Sequence, residues 1–298
     1  MSRVIQAESH VQAAIARIFS SAVFRELVRD GRSSLFARLV HDIYGEENIC
    51  TCSVGRFFDE CFNFLKRSGL RNEYAYKSAI IQKILLGSHS LNTASIVDEF
   101  RVGGNKADLV MLNGTSNAFE IKSERDRLDR LHAQVSSYSE VFAEVTVLCA
   151  EKHLRAVQDT VPDFVGVSVL TERYQISKVR KGVNDPERTN SVSIFNTITK
   201  REAAKILKRL GGAVPDLPNT LMHHALELEF SKIPSALVHN EMVKVLKITR
   251  SLSGMSESLQ EVPRSLRFFA LTVPMKKRGR ENLLGALDTP LMDALKWG

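Results

Sequence analysis

Apolar positions recur at helical spacing from Val11 to Gly69, with breaks expected at Gly45–Glu46 and again across Cys52–Gly55. Phe57, Phe58, Cys61, Phe62, Phe64 and Leu65 give one dense apolar helix surface. Asn72 to Leu86 reads as a further helix, with Asn72 as its N-cap and Gly87 as its stop. The period then changes. Ile96–Val102 and Ala107–Asn113 read as strands, and Ala118–Lys122 follows after an Asn113-Gly114 turn. Glu124–Phe142 is expected to be helical, because Leu128, Leu131, Val135, Tyr138 and Phe142 repeat at steps of three and four. Val145–Ala150 is almost wholly apolar, the pattern of a strand buried on both faces. A short helix near Leu154–Val161 and a strand at Val165–Leu170 complete an α/β sandwich.

Beyond Glu172 the pattern changes again. Lys178–Asn190 is polar, contains Gly182 and Pro186, and reads as a loop. Lys200–Leu210 is a basic helix ending at Gly211-Gly212. From Leu221 onward the chain is mostly helical, interrupted at Pro234, Gly254, Pro263 and Pro274. This organisation suggests three parts: a helical region over 1–71, an α/β core over 72–175 and a mainly helical region over 176–298.

Composition narrows the class. At 298 residues, with 44% hydrophobic and 25% charged residues, the chain is globular and too long for one minimal core. The net charge of +7 favours a polyanionic partner such as DNA. Met1 to Ser20 lacks the apolar centre of a secretory signal, and no apolar run reaches the ~20 residues of a membrane span, so a cytoplasmic, non-membrane location is expected. Cys50, Cys52, Cys61 and Cys149 offer neither an ordinary disulfide spacing nor a complete zinc set, and read as free thiols. A homo-oligomer is compatible with the sequence, which does not require one.

Candidate chemistry concentrates between Asp108 and Tyr138. Residues two apart on a strand share a face, so Glu120 and Lys122 project together while Phe119 and Ile121 turn to apolar packing. If the neighbouring strands pair antiparallel, the Asp108 carboxylate can approach that of Glu120. Two carboxylates repel unless they share a cation, and oxygen ligands of this kind suit Mg²⁺ or Mn²⁺. The Ile121 carbonyl could add a third ligand. Lys122 would then orient an activated water or neutralise an attacked phosphate. An E-x-K triplet arises by chance about once in a chain of this length, so its surroundings carry the weight. The expected arrangement is a solvent-reachable pocket in which Asp108 and Glu120 converge beside the Lys122 amine. Gln134 and Tyr138, one helical turn apart, would touch the carboxylate or a nucleic-acid backbone, or else be plain surface amide and plain core. Arg127 and Arg130 are candidates for phosphate contact. The Glu124-Arg125-Asp126-Arg127 run also reads as a salt-bridged helix start.

These residues resemble a known family. Asp108, Glu120-Ile121-Lys122 and Gln134-Val-Ser-Ser-Tyr138 are similar to the motifs of the PD-(D/E)XK nuclease superfamily, in the branch with a Q-x-x-x-Y motif found in RecB-type exonuclease domains. The phrases NEYAYKSAIIQKIL, EFRVGGNKADLVMLNG, FEIKSERDRLDRL and QVSSYSEVF look like an uncharacterised bacterial family of restriction-endonuclease-like proteins. The resemblance is most specific from Asn72 to about Leu170. It implies a restriction-endonuclease-like αβββαβ core with helical additions, Mg²⁺-dependent cleavage of DNA, metal ligation by Asp108 and Glu120, and catalysis by Lys122. Many members carry an acid on the first core helix, and Glu73 matches that position; its alternative is a surface ion pair with Lys77. The proline of the superfamily's name is absent, since Ala107 precedes Asp108.

The remaining candidates are weaker. His223-His224, with Glu227 and Glu229 nearby, lacks the further ligands of a zinc site, and His41 and His132 have no nucleophile partner. Asp98 and Glu99 offer further acids one strand earlier. Thr197–Gly211 fits either the first half of a helix-turn-helix or a basic amphipathic helix packed on the core. Lys276, Lys277 and Arg278 form a basic cluster suited to phosphate contact. Two functions follow: a metal-dependent deoxyribonuclease, in mobile-element defence or DNA processing, or a catalytically inactive nuclease-fold module that binds DNA or a protein.

Overall fold

The computed structural model describes residues 9–45, 51–88, 94–250 and 258–298. The expectations for Met1–Glu8, Glu46, Cys50 and Gly254 lie outside the described residues. The chain forms two compact units. One comprises Met1–Ile81 with Gly254–Gly298, the other Gln82–Ser253. This division differs from the three-part reading, because residues 176–253 fold with the sheet and residues 254–298 with the N-terminal helices.

The discontinuous unit is helical. Its elements are α1 Ser9–Ile18, α2 Ser21–Asp30, α3 Ser34–Tyr44, α4 Val54–Leu65 and α5 Glu73–Ala79. Short polar side chains start most of them. Ser20, Ser33, Ser53 and Asn72 each accept a backbone N–H of the following first turn. Gly31, at φ +67°, ends α2 in the left-handed conformation that costs glycine least. The sequence from Val11 to Gly69 therefore breaks more often than its periodicity suggested. The expected helix over Asn72–Leu86 does begin at its Asn72 cap but turns π-helical over Ile80–Leu85, before the single turn α6 at Leu86–Ser88.

The second unit is built on one six-stranded sheet in the order β1-β2-β3-β4-β5-β6. The strands are β1 Ser95–Val102, β2 Asn105–Leu112, β3 Ser116–Lys122, β4 Glu144–Cys149, β5 Gly166–Leu170 and β6 Ile176–Arg180. β1, β2 and β3 form an antiparallel meander. The Asn113-Gly114 turn closes its second hairpin, with Gly114 at φ +67°. Helix α7, Leu131–Ser139, then crosses over so that β4 pairs parallel to β3. After α8, Leu154–Thr160, β5 joins parallel to β4, and β6 returns antiparallel at the edge. β6 occupies residues expected to be loop. Its burial is only partial, as befits an edge strand, so it lacks the apolar alternation that marks strands in sequence. The crossover helix is shorter than expected for a related reason. Asp126 Oδ2 accepts the Ser123 N–H at 2.7 Å and its hydroxyl at 2.6 Å, which fixes a turn where the helix was read to begin.

Helices α9 Ser191–Phe195, α10 Lys200–Arg209, α11 Asn219–Ser231 and α12 Ser235–Thr249 complete this unit. α10 buries Ala203, Ile206 and Leu207 and packs on α12, so the Thr197–Gly211 stretch is an amphipathic helix on the core. Two polar joints hold α12. His239 Nε2 lies 2.7 Å from Ser116 Oγ, which also accepts the Ala143 N–H at 3.1 Å, and all three groups are buried. At the other end Glu202 closes a capping box with Thr199 and receives Thr249 Oγ1 at 2.8 Å and Arg250 Nε at 3.1 Å. The first unit resumes with α13 Arg267–Thr272, α14 Lys277–Asp288 and α15 Leu291–Ala294, and is packed around aromatic rings: Tyr74 stacks on Phe19 at 4.8 Å and on Phe269 at 4.9 Å.

Burial opposes the Glu202 charge, but the bonds from Arg250, Thr199 and Thr249 outweigh it and hold the carboxylate at about 2. A carboxylate held below its unfolded value stabilises the fold above the ordinary carboxylate range and loses that contribution as pH falls toward 2. Glu202→Ala should therefore cost about 3 kcal/mol at pH 7, the scale for breaking a buried ion pair, and roughly half of that at pH 3, since the linked contribution vanishes only below about 2. Urea unfolding at both pH values, with hydrogen exchange read in α10 and α12, checks the size and the sign.

Candidate active site

Glu120 and Lys122 stand two residues apart at the C-terminal end of β3, and α7 covers the face they share. Lys122 Nζ donates to Glu120 Oε1 at 2.7 Å and to Gln134 Oε1 at 2.9 Å. The Tyr138 hydroxyl lies 3.0 Å from Glu120 Oε2 and 2.8 Å from the Lys106 carbonyl, so its single proton serves two acceptors. Gln134 and Tyr138 meet the strand together because residues four apart share a helix face. Neither is the plain surface amide or plain core residue that the sequence left open. Lys106 participates through its carbonyl alone, a backbone contribution with no signature in side-chain identity.

Asp108 sits on β2 opposite Glu120, in the register that pairs Leu109 with Phe119. Its Oδ2 accepts the Ile121 N–H at 2.6 Å. The carbonyl of Lys122 accepts the Ala150 N–H at 2.9 Å, so the backbone of Lys122 faces β4. Strand alternation turns that of Ile121 toward β2, and its N–H and C=O point the same way. The Ile121 carbonyl therefore looks to the Asp108 side.

The arrangement is more closed than the expected pocket. Glu120 is 2% exposed, Lys122 6% and Tyr138 fully buried, while Asp108 is half-buried. Removing an ion pair from water costs several kcal/mol per ion unless further hydrogen bonds satisfy it. Here Gln134 and Tyr138 supply them. Burial pushes the Glu120 carboxyl above the usual carboxylate range, and the charge of Lys122 with the bonds from Lys122, Tyr138 and Gln134 offsets only part of that. Burial, and then the charges of Glu120 and Asp108, push the Tyr138 hydroxyl up.

A divalent cation is compatible with these donors: two carboxylates and one carbonyl are hard oxygen ligands of the kind Mg²⁺ and Mn²⁺ take. Among the described residues, no three His, Cys, Asp or Glu side chains gather as a ready-made cage. Glu73 lies in the other compact unit, half-exposed, and its carboxylate pairs with Lys77 at 2.7 Å; the pair is the expected i,i+4 one, but Lys77 is buried rather than on the surface. Glu99, at φ +53°, falls between the paired positions Asp98–Leu109 and Phe100–Ala107, and pairs with Lys106 at 2.9 Å. Arg127 and Arg130 are exposed on the turn before α7, and Arg127 lies 3.6 Å from Asp129. Lys276, Lys277 and Arg278 are exposed at the start of α14 in the other unit. Cations at a helix N-terminus oppose the helix dipole, so fold stability does not account for them. His223 packs edge-on to Phe195 and His224 lies 3.8 Å from Glu227, with no metal-like grouping. Cys52, Cys61 and Cys149 are buried free thiols. No helix among the described residues is long and apolar enough to cross a membrane.

Residues 66–259 match the family model described as Bacteriophage P4 protein cII, a span that contains every site residue from Glu73 to Tyr138. Protein cII of Enterobacteria phage P4 is 30% identical over 185 residues, covering 60% of this chain and 67% of that protein. Among solved structures, the SPO1766 protein of unknown function from Silicibacter pomeroyi aligns with 40% of this chain and 81% of its own at 19% identity and a TM-score of 0.28.

The closed cluster makes a direct stability prediction. Lys122→Ala strands a buried carboxylate and should cost about 3–5 kcal/mol, whereas Lys122→Met combined with Glu120→Gln should cost far less, because no charge is left without its partner. Urea midpoints of the single and double variants decide it; equal losses would show that the pair does not act as a unit.

Proposed function

The chain belongs to the bacteriophage P4 protein cII family, and from the grouping on β3 we propose that it is a metal-dependent phosphodiesterase acting on DNA. The observation that carries the reading is the convergence of Asp108, Glu120, Lys122, Gln134 and Tyr138 from two strands and one helix, with the Ile121 carbonyl turned to the same side. The succession β1–β2–β3–α7–β4 supports a core of the restriction-endonuclease-like kind.

In this reading Asp108, Glu120 and the Ile121 carbonyl would hold Mg²⁺ or Mn²⁺. When bound, the cation lowers the pKa of a water and offsets charge on the transition state. Tyr138 fixes one Glu120 oxygen. Gln134 holds the Lys122 amine, which orients the attacking water or neutralises the attacked phosphate. Arg127, Arg130 and the Lys276-Lys277-Arg278 cluster meet phosphates, in keeping with the net charge of +7. A cytoplasmic role in mobile-element defence or DNA processing is compatible with a family named for a bacteriophage protein.

One observation favours a second reading. Both Glu120 oxygens are engaged and the carboxylate is buried, as suits a nuclease fold kept for binding DNA or a protein without cutting.

Incubation with linear, nicked and single-stranded DNA, with Mg²⁺, Mn²⁺ or EDTA, separates the two. The phosphodiesterase cuts only with metal. Asp108→Ala, Glu120→Ala and Lys122→Ala should each remove most of the activity, and their losses should not add, because the group acts as one. Gln134→Ala should do less. Metal-independent DNA binding with no cleavage under any condition would favour the second reading.

A further inference from the structure

α10 and α12 flank a half-open cavity of about 300 Å³ lined by Lys205, Lys208 and Arg209 from one helix and Val245, Ile248 and Thr249 from the other. Its exposed walls are almost wholly apolar, its rim carries three cations, and no acid lines it. Ile248 is 69% exposed, a large aliphatic side chain left in water beside those cations. Among the described residues no carboxylate pairs with Lys205 or Lys208. Glu241 holds Arg209, and Glu202 takes Thr249 and Arg250, so the nearby acids are already committed. The occupant must therefore offer an apolar surface and more than one negative charge.

The cavity is also tied to the strands of the central site. Glu202 joins Thr249 to Arg250, whose guanidinium lies 4.8 Å over the Phe100 ring. Phe100 pairs across β1 and β2 with Ala107, the residue before Asp108.

We propose that this cavity is a binding subsite for an unpaired nucleic-acid strand, with successive phosphates on Lys205 and Lys208 and a sugar–base unit against Ile248. Phosphates alone need no apolar slot, and a duplex keeps its bases stacked away from one; a single strand offers both surfaces. Thr249 is the one uncharged hydrogen-bonding side chain among the lining residues, and its hydroxyl is engaged by Glu202 and the Val245 carbonyl. The subsite consequently selects strand state rather than base sequence. The inference deepens the proposed function by naming a substrate class, and rests on that reading only for the fate of the bound strand.

The test is binding without cleavage. Fluorescence anisotropy in EDTA, with labelled single-stranded DNA, single-stranded RNA and duplex DNA of equal length, is run from 50 to 200 mM salt, ranges in which phosphate contacts show. Lys205→Gln/Lys208→Gln should lower the salt slope for single strands by about 1.4, from roughly 0.7 per lost contact. Ile248→Ser should weaken single-strand binding by roughly tenfold, the scale of one aliphatic burial, at an unchanged slope, with little effect on duplex. Similar losses on DNA and RNA arms fit a phosphate-and-apolar subsite; loss on one arm alone assigns the strand it takes. Circular dichroism confirms that both variants fold, which their surface positions favour. Unchanged slope and affinity in the lysine variant, or equal effects of Ile248→Ser on duplex and single strand, overturn the proposal. Absence of cleavage by the parent protein bears on the proposed chemistry and leaves this test intact.

Discussion

The ion pair between Glu120 and Lys122 is the interaction on which the central unit turns. It sits on β3, beneath α7, where neither ion keeps much of its water. Such a pair is stable only if its remaining bonding capacity is met. Gln134 and Tyr138 meet it, and Tyr138 extends the connection to the backbone of β2 at Lys106. Satisfying one pair thus fixes how the crossover helix lies on two strands. Asp108 adds the other fixed point by binding the Ile121 N–H across the same two strands. The polar groups that look like chemistry are also those that set the local geometry, so their substitution is expected to affect fold and activity together.

The helices after the sheet follow the same logic at larger distance. Glu202 caps its own helix, accepts Thr249 and Arg250 from α12, and positions a guanidinium over Phe100. Ser116 and His239 tie α12 to the start of β3, where burial lowers the histidine pKa and favours the neutral ring. α12 is held at one end by a buried polar contact and at the other by part-buried ones, while its aliphatic face supplies the packing between them. Among the described residues this leaves Lys205 and Lys208 of α10 with no carboxylate partner and places them on a rigid support, while Glu241 holds Arg209.

Much of this was legible in the sequence. β1 to β5 follow from apolar runs and turn residues, and Asn72 and the Asn113-Gly114 turn carry direct local signals. The five residues of the β3 grouping were legible as a set, because strand and helix periodicity place them on facing surfaces. Their closure was not legible: whether Lys122 faces water or a carboxylate depends on how α7 settles, which no spacing encodes. β6 was missed because an edge strand needs no apolar alternation. The length of α7 was overestimated because Asp126 captures the chain in a turn before Leu131, against a periodicity that continues through Leu128. The i,i+4 pairing of Glu73 with Lys77 was legible in the spacing, whereas the burial of Lys77 was not. The return of residues 254–298 to the N-terminal helices is a long-range pairing that rests on aromatic packing and leaves no local mark.

The central claim is that the Asp108–Glu120 grouping takes a divalent cation. Crystals of the protein soaked in Mn²⁺, with anomalous scattering recorded near the manganese edge, test it most directly. The account predicts a peak within about 2.0–2.3 Å of carboxylate oxygens of both Asp108 and Glu120, absent in crystals of Asp108→Ala. A Glu120–Lys122 pair that stays closed at saturating Mn²⁺, with no peak between the two carboxylates, would contradict it.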